Sequence, residues 1–260
     1  VDLSAINLSG ELPSYLGEWN KLTDLALSET SIGGVIPSSV AKLTALRKLD
    51  IHDAKVSGSI PVELTNCTSL MTLDLSGNLL SSELPAELLG GDNLQYVYLF
   101  DNSLSGTLPP FLSESLMSLD ISDNQLSGTI PLSWNGGALQ NLRLGFNSLS
   151  GTIPEDVVNS FNNLNQLILS FNQLRGSLSP SFAVNLTNLQ YVDVSNNYLP
   201  QKYPYVLDTR GWELLYYPQN EIPTSLPSGE PSGEPSQVPS AGPSGEPSQI
   251  PLAAPSTEPS

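Results

Sequence analysis

The sequence is poor in the residues that most chemistry needs. It has one cysteine, one histidine and nine basic residues among 260. A single cysteine closes no internal disulfide, so cysteine usage leaves the compartment open. Cys67 stands where other copies of the repeat described below carry Leu43, Phe161 and Leu186, so it reads as a small buried hydrophobe. Nine Lys and Arg against 26 Asp and Glu give a formal charge of −17. That excludes the clustered cations of a nucleic-acid binder and disfavours docking on anionic lipid. It suits cations, basic partners or simple solubility. No apolar run is long enough for a transmembrane helix. No signal peptide is visible, and the opening VDLSAINLSGELP is already mid-repeat, which reads as a fragment or processed product. A Ser-His-Asp site would have to use His52 with Asp50 or Asp53, but an open sheet has no water-excluding pocket. No calcium loop, zinc spacing or phosphate loop occurs, so no enzyme activity, metal site or cofactor is expected.

What the chain has in abundance is repetition. Copies of one pattern, LxxLxLxxNxLSGxIPxxLxxLxx, begin at Leu22, Leu46, Leu70, Leu94, Leu116, Leu139, Leu164 and Leu189, a period of 22 to 25 residues. Residues 1–21 are the tail of an earlier copy. Such units stack on their neighbours into one cooperative body. The period-two LxL core predicts a short parallel strand with its leucines inward. Asn78, Asn102, Asn124, Asn147, Asn172 and Asn197 form a column that can bond the backbone of adjacent coils. Ile6, Thr30 and Ala54 hold that position earlier, so the ladder is weak at the N-terminal end. The LSG glycine predicts a tight or positive-φ corner, and the following Ile/Leu-Pro a short convex helix or 3₁₀ turn.

In these motifs the chain resembles the plant-specific class of leucine-rich repeats, found in plant receptor ectodomains, polygalacturonase-inhibiting proteins and leucine-rich-repeat extensins. The resemblance implies an α/β repeat solenoid, a right-handed superhelix with a concave parallel β-sheet. The class's paired-cysteine caps are absent, and Ser82 and Ser179 interrupt the Gly and Pro columns. The expected organisation is a solenoid over 1–199, a C-terminal capping segment over 200–222 and a stalk over 223–260. Residues 200–222 break register, and their aromatics (Tyr203, Tyr205, Trp212, Tyr216 and Tyr217, with Leu214 and Leu215) read as the cover for the last leucine face.

From Pro223 to Pro259 a proline stands at every fourth position. An extended polyproline II tail with that period turns each Pro-Ser pair by about 120° and advances it about 12 Å, so bulky groups would coat the rod evenly. Such repeats resemble extensin-like hydroxyproline- and serine-glycosylated stalks. The expected modified pairs are Pro227-Ser228, Pro231-Ser232, Pro235-Ser236, Pro239-Ser240, Pro243-Ser244, Pro247-Ser248, Pro255-Ser256 and Pro259-Ser260. Asn7, Asn66 and Asn185 are N-glycosylation acceptors. Asn66 and Asn185 share one place in the repeat, away from the concave sheet.

Most outward concave positions read Asp-x-Ser, a solvated surface. The exceptions are Tyr96, Tyr98 and Phe100 on one strand, and Arg143, Phe146, Ile168 and Phe171 two and three copies on. Exposed aromatics beside polar residues mark binding of sugars or peptides. The first functional expectation is a non-enzymatic extracellular glycoprotein, secreted or at the cell wall or surface. Its solenoids would dock to neighbouring subunits or glycans and self-assemble into a fibre, because an unbroken tail period favours an ordered, assembled rod. The alternative is a receptor or inhibitor ectodomain that binds a peptide or an enzyme on the concave face. Ice or mineral binding would need flat, regular threonine rows, which the repeat lacks.

Overall fold

The computed structural model describes residues 1–200, 213–216 and 219–220, all within a unit that spans Val1–Ile222. The expected stalk, including every Pro-Ser pair named above, lies outside the described residues, as do Tyr203, Tyr205, Trp212 and Tyr217. Each repeat forms one coil of a solenoid. A nine-stranded parallel sheet runs from Asp24–Ala26 through Lys48–Asp50, Thr72–Asp74, Tyr96–Tyr98, Ser118–Asp120, Asn141–Arg143, Gln166–Ile168 and Tyr191–Asp193 to Glu213–Leu215. Equivalent positions pair, as in Leu49↔Leu73 and Leu119↔Leu142. The leucines of LxL point inward: Leu73, Leu75, Val97, Leu99, Leu142 and Leu144 are all buried. Burying one such side chain contributes roughly 1.5–3 kcal/mol, which is why the column is so uniform. The opposite side carries short helices, 3₁₀ turns such as Ser38–Lys42 and Val62–Asn66 and the α-helices Glu155–Ser160 and Ser181–Asn185. Pro37 and Pro61 stand just before the two 3₁₀ turns.

The asparagine column stitches coil to coil. The Asn147 side-chain oxygen accepts the Leu126 N–H at 2.9 Å, and its NH₂ donates to the carbonyls of Ile121, Leu144 and Gly145. Asn124 and Asn172 repeat this pattern. Four backbone groups on two coils therefore find partners in one side chain. At the N-terminal end Thr30 supplies only a hydroxyl, donating to the Leu27 carbonyl and accepting the Ile32 N–H. At the other end the described residues beyond 200, where a break of register is expected, fall in step with the repeat. Glu213–Leu215 pairs in register with Tyr191–Asp193, Tyr216 is buried at the inward leucine position, and Gln219 takes the next ladder place. Its amide accepts the Asn197 and Leu199 N–H groups and donates to the carbonyls of Val194 and Tyr216. Of the other residues expected to cap the stack, Leu214 packs against the core and Leu215 is exposed.

The LSG segment does more than turn a corner. It builds a second parallel sheet on the flank, Ser9–Glu11, Ser31–Val35, Lys55–Gly58, Leu79–Glu83 and Ser103–Ser105, continued by the bridges Thr107↔Ser127 and Thr129↔Ser150. Here the pairing slips by two residues per coil: Ser81 lies opposite Ser103, 22 residues on, where the repeat is 24. Equal steps on one face and slipped steps on the flank shear each coil against the next, which twists the stack. The glycine column has positive φ throughout, from +74° at Gly34 to +80° at Gly106, apart from the wider +114° at Gly10. Ser82 holds the same place at φ 76°. An L side chain is strained there, so Ser82→Gly is expected to raise stability by about 0.5–1 kcal/mol. A chemical-denaturation midpoint that falls, with unchanged slope, would contradict this.

Candidate functional site: the concave aromatic face

The residue just before each ladder position from Ile6 to Asn197 lies in the left-handed region: Ala5, Glu29, Asp53, Gly77, Asp101, Asp123, Phe146, Phe171 and Asn196 all have φ between +49° and +62°. Gly, Asn and Asp tolerate that conformation; bulky residues avoid it. Phe146 and Phe171 nevertheless occupy two consecutive places. Their rings stack at 4.1 Å between centroids with 13° between planes, and they stay 48% and 45% exposed. Two unfavourable choices thus coincide, strained backbone and exposed aromatic surface. The sequence carried a signal for this column, since Gly, Asn and three Asp share it.

The other expected residues are placed differently. Tyr96, Tyr98 and Phe100 lie together, but the strand Ser118–Asp120 separates them from Arg143. Phe100 is exposed and both tyrosines are half-buried, with the Tyr96 hydroxyl 3.4 Å from Met117 Sδ. Arg143 is not free: Nε and Nη2 donate to Gln166 Oε1 at 2.9 and 2.7 Å, and Nη1 lies 3.5 Å from Asp120. Ile168 covers Gly145, its Cγ2 3.3 Å from where a Cβ would stand. The structure therefore brings Phe146 and Phe171 together, sets the Tyr96–Phe100 patch beside them across one strand, and spends Arg143 and Ile168 on their neighbours.

Asp101 and Asp123 adjoin the aromatic step in the same column, and no ion pair among the described residues includes either. Backbone bonds run from the Asp123 N–H to the Gly145 carbonyl and from the Asn124 N–H to the Phe146 carbonyl, so Asp123 sits one coil from Phe146. Burial, then the charges of Asp101 and Asp120, hold the Asp123 carboxyl above its ordinary value. Sequence reasoning named neither aspartate.

Near the other end of the sheet, Asp50 gathers Ser28, Lys48 (2.9 Å) and His52 Nδ1 (2.7 Å). The Ser28 hydroxyl donates to the aspartate and not to the imidazole, so no activated nucleophile is formed. Asp50, His52 and Asp74 bring potential metal-ligand atoms within 4.8 Å of one another, but the Lys48 ammonium already neutralises Asp50. Burial pushes the Asp50 carboxyl up, yet bonds from Ser28, Lys48 and His52 outweigh it and leave it lowered. Burial pulls the His52 imidazole down, yet Asp50, Asp74 and Asp53 outweigh it and leave it raised. Elsewhere, Cys67 is buried and its thiol is pushed up to about 11, as for an inert core residue. Asn7 and Asn66 are exposed. Asn66 and Asn185 both end helical turns on the side away from the concave sheet, and the half-buried Asn185 amide donates to Asn159.

A raised imidazole stabilises the fold fully below its ordinary value and loses that contribution as pH rises through the folded value. The stability gap between wild type and His52→Gln is therefore expected to be larger at about pH 5.5 than at about pH 9. Denaturation at the two pH values measures it, and a gap that widens upward contradicts the network.

The comparisons with known proteins agree with this geometry. A family model for Leucine Rich Repeat matches residues 69–90, 93–114, 115–136, 138–160 and 163–185. Among curated proteins no sequence match was found. Among solved structures, a TDR receptor is 33% identical with TM-score 0.78, covering 83% of this chain and 38% of its own. The Arabidopsis receptor kinase HAESA, solved with the peptide hormone IDA and the co-receptor SERK1, is 30% identical with TM-score 0.70, covering 85% of this chain and 42% of its own. A plant ice-binding protein is 28% identical with TM-score 0.65, covering 86% of this chain and 75% of its own. The chain thus spans about two fifths of the length of these receptors. Repeats, sheets and neighbours converge: the chain folds as a leucine-rich-repeat solenoid.

Proposed function

We propose that the concave face between Tyr96 and Phe171 docks an extended peptide or protein segment, in an extracellular-facing role like that of the receptor ectodomains it resembles. One observation carries the reading: the stacked, half-exposed Phe146 and Phe171 at positive φ. Strain and exposure of this kind cluster at binding sites, where a partner's contacts offset them. The peptide complex of the HAESA neighbour supports the same reading. The alternative of a glycosylated fibre rests on residues 223–260, outside the described residues, and draws no support from the solenoid itself. N-glycosylation at exposed Asn66 is compatible with docking, because that turn faces away from the concave sheet. Asn is the residue this column already uses at Asn196, so Phe146→Asn with Phe171→Asn keeps the backbone while removing both rings. Peptides selected from a random displayed library on the wild-type protein are expected to bind the double variant at least about tenfold more weakly. Binders that hold both proteins equally would move the site elsewhere.

A second reading, recognition of an ice surface, is favoured by one feature of the flank sheet. The flank sheet carries uncharged hydroxyl columns, Ser105, Ser127 and Ser150 beside Thr107, Thr129 and Thr152. The Thr methyls lie where a Cβ on Gly128, Gly151 or Gly176 would meet them at 2.8–3.0 Å. A regular array of methyl and hydroxyl groups on a parallel sheet is a surface a lattice can match. On this reading the purified protein slows ice recrystallisation and Thr129→Tyr weakens the effect. Wild-type protein without activity removes it.

A further inference from the structure

The charge around the aromatic step is one-sided. Lys48 and Arg143 are the lysine and arginine of the described concave strands, and each is already held, by Asp50 and by Asp120 with Gln166. Asp101 and Asp123 have no such partner; Asp123 sits one coil from Phe146 and Asp101 one coil further in the same column. The wider surface reinforces this, with a formal charge of −17 over the chain. An acidic peptide would meet like charge at Asp101 and Asp123 beside the step. It would find no free guanidinium for its carboxylates, because Arg143 is engaged at three of its nitrogens.

Resting on the docking reading above, we propose that the segment bound there is basic, with an arginine or lysine cation over the Phe146 ring beside Asp123 and an apolar side chain against Phe171. A cation over an aromatic face is attracted by the ring quadrupole, and an adjoining carboxylate adds a charge-assisted hydrogen bond. Burial first, and then the charges of Asp101 and Asp120, raise the Asp123 carboxyl, and an incoming cation relieves the second of these. An extended segment presents alternate side chains to opposite faces, so the basic and apolar residues that touch the sheet stand two apart.

The test uses the whole chain and three capped probe peptides of one length: an alternating arginine-glycine-phenylalanine peptide and twins with glutamine or glutamate for arginine. The arginine peptide is expected to bind tightest, and Asp123→Asn to weaken it about threefold to tenfold without affecting the glutamine twin. The glutamine or glutamate twin binding as tightly as the arginine peptide, with all three lost on the Phe146→Asn and Phe171→Asn double variant, overturns the basic preference and leaves the docking site standing. Binding that ignores the double variant overturns the docking site and this inference together. An arginine peptide that binds through the phenylalanines but is indifferent to Asp123→Asn overturns the placement of the cation.

Discussion

A coil that closes in 22 to 25 residues must turn so sharply that some backbone N–H and C=O groups point into the stack with no strand to pair them. Left alone, each such group costs about 1–3 kcal/mol. From Asn78 to Asn197 the asparagine ladder meets that demand at one position per coil, with one accepting oxygen and two donating hydrogens shared between a coil and the one before it. Among the described residues no buried side-chain nitrogen or oxygen is left without a partner. Because the ladder fixes how each coil sits on the last, every other column inherits a fixed step. The leucines stack into one continuous core, and the outward side chains line up in rows. The left-handed residue that precedes each ladder position is a product of the same turn, which is how two phenylalanines come to be held face to face on an open surface.

How much of this was legible in the sequence depended on whether a residue's role repeated. Leucine pairs and ladder asparagines recur in register, so the strands, the core and the stacking direction followed from spacing. The flank sheet did not, because its pairing joins residues offset by two between coils, a slip that no single-repeat alignment contains. Gln219 was missed because the ladder there uses a longer amide, and the aromatic-rich sequence before it drew attention as a cover instead. Ser82 was seen as an interruption of the glycine column, but its positive φ is set by the neighbouring coils and not by serine. At the site, the aromatic residues themselves were legible. Their geometry was not: Arg143 looked available until Gln166 and Asp120 were found on it, and Phe146 and Phe171 gained weight only once their backbone was seen.

The two sheets give the chain surfaces of opposite character. The concave sheet is acidic and interrupted by aromatics at its middle, while the flank from Ser103 to Thr152 is uncharged and rich in hydroxyls. Neither surface bears on the core, since both face outward from leucines that pack identically beneath them. Recognition can therefore change on either face without disturbing the fold, as the similarity to both peptide receptors and an ice-binding protein illustrates.

The ladder is uneven, and that has a consequence for motion. Coils with Ile6, Thr30 and Ala54 at the ladder position have few or none of the side-chain rungs that join those from Asn78 onward. In a body whose units touch only their neighbours, local unfolding starts where the interface between units is weakest and spreads one unit at a time. Amide exchange should be fastest in those early coils, which act as a fuse. The aromatic step near residue 146 lies several rungs inside the protected block, so thermal breathing of the array leaves its geometry intact.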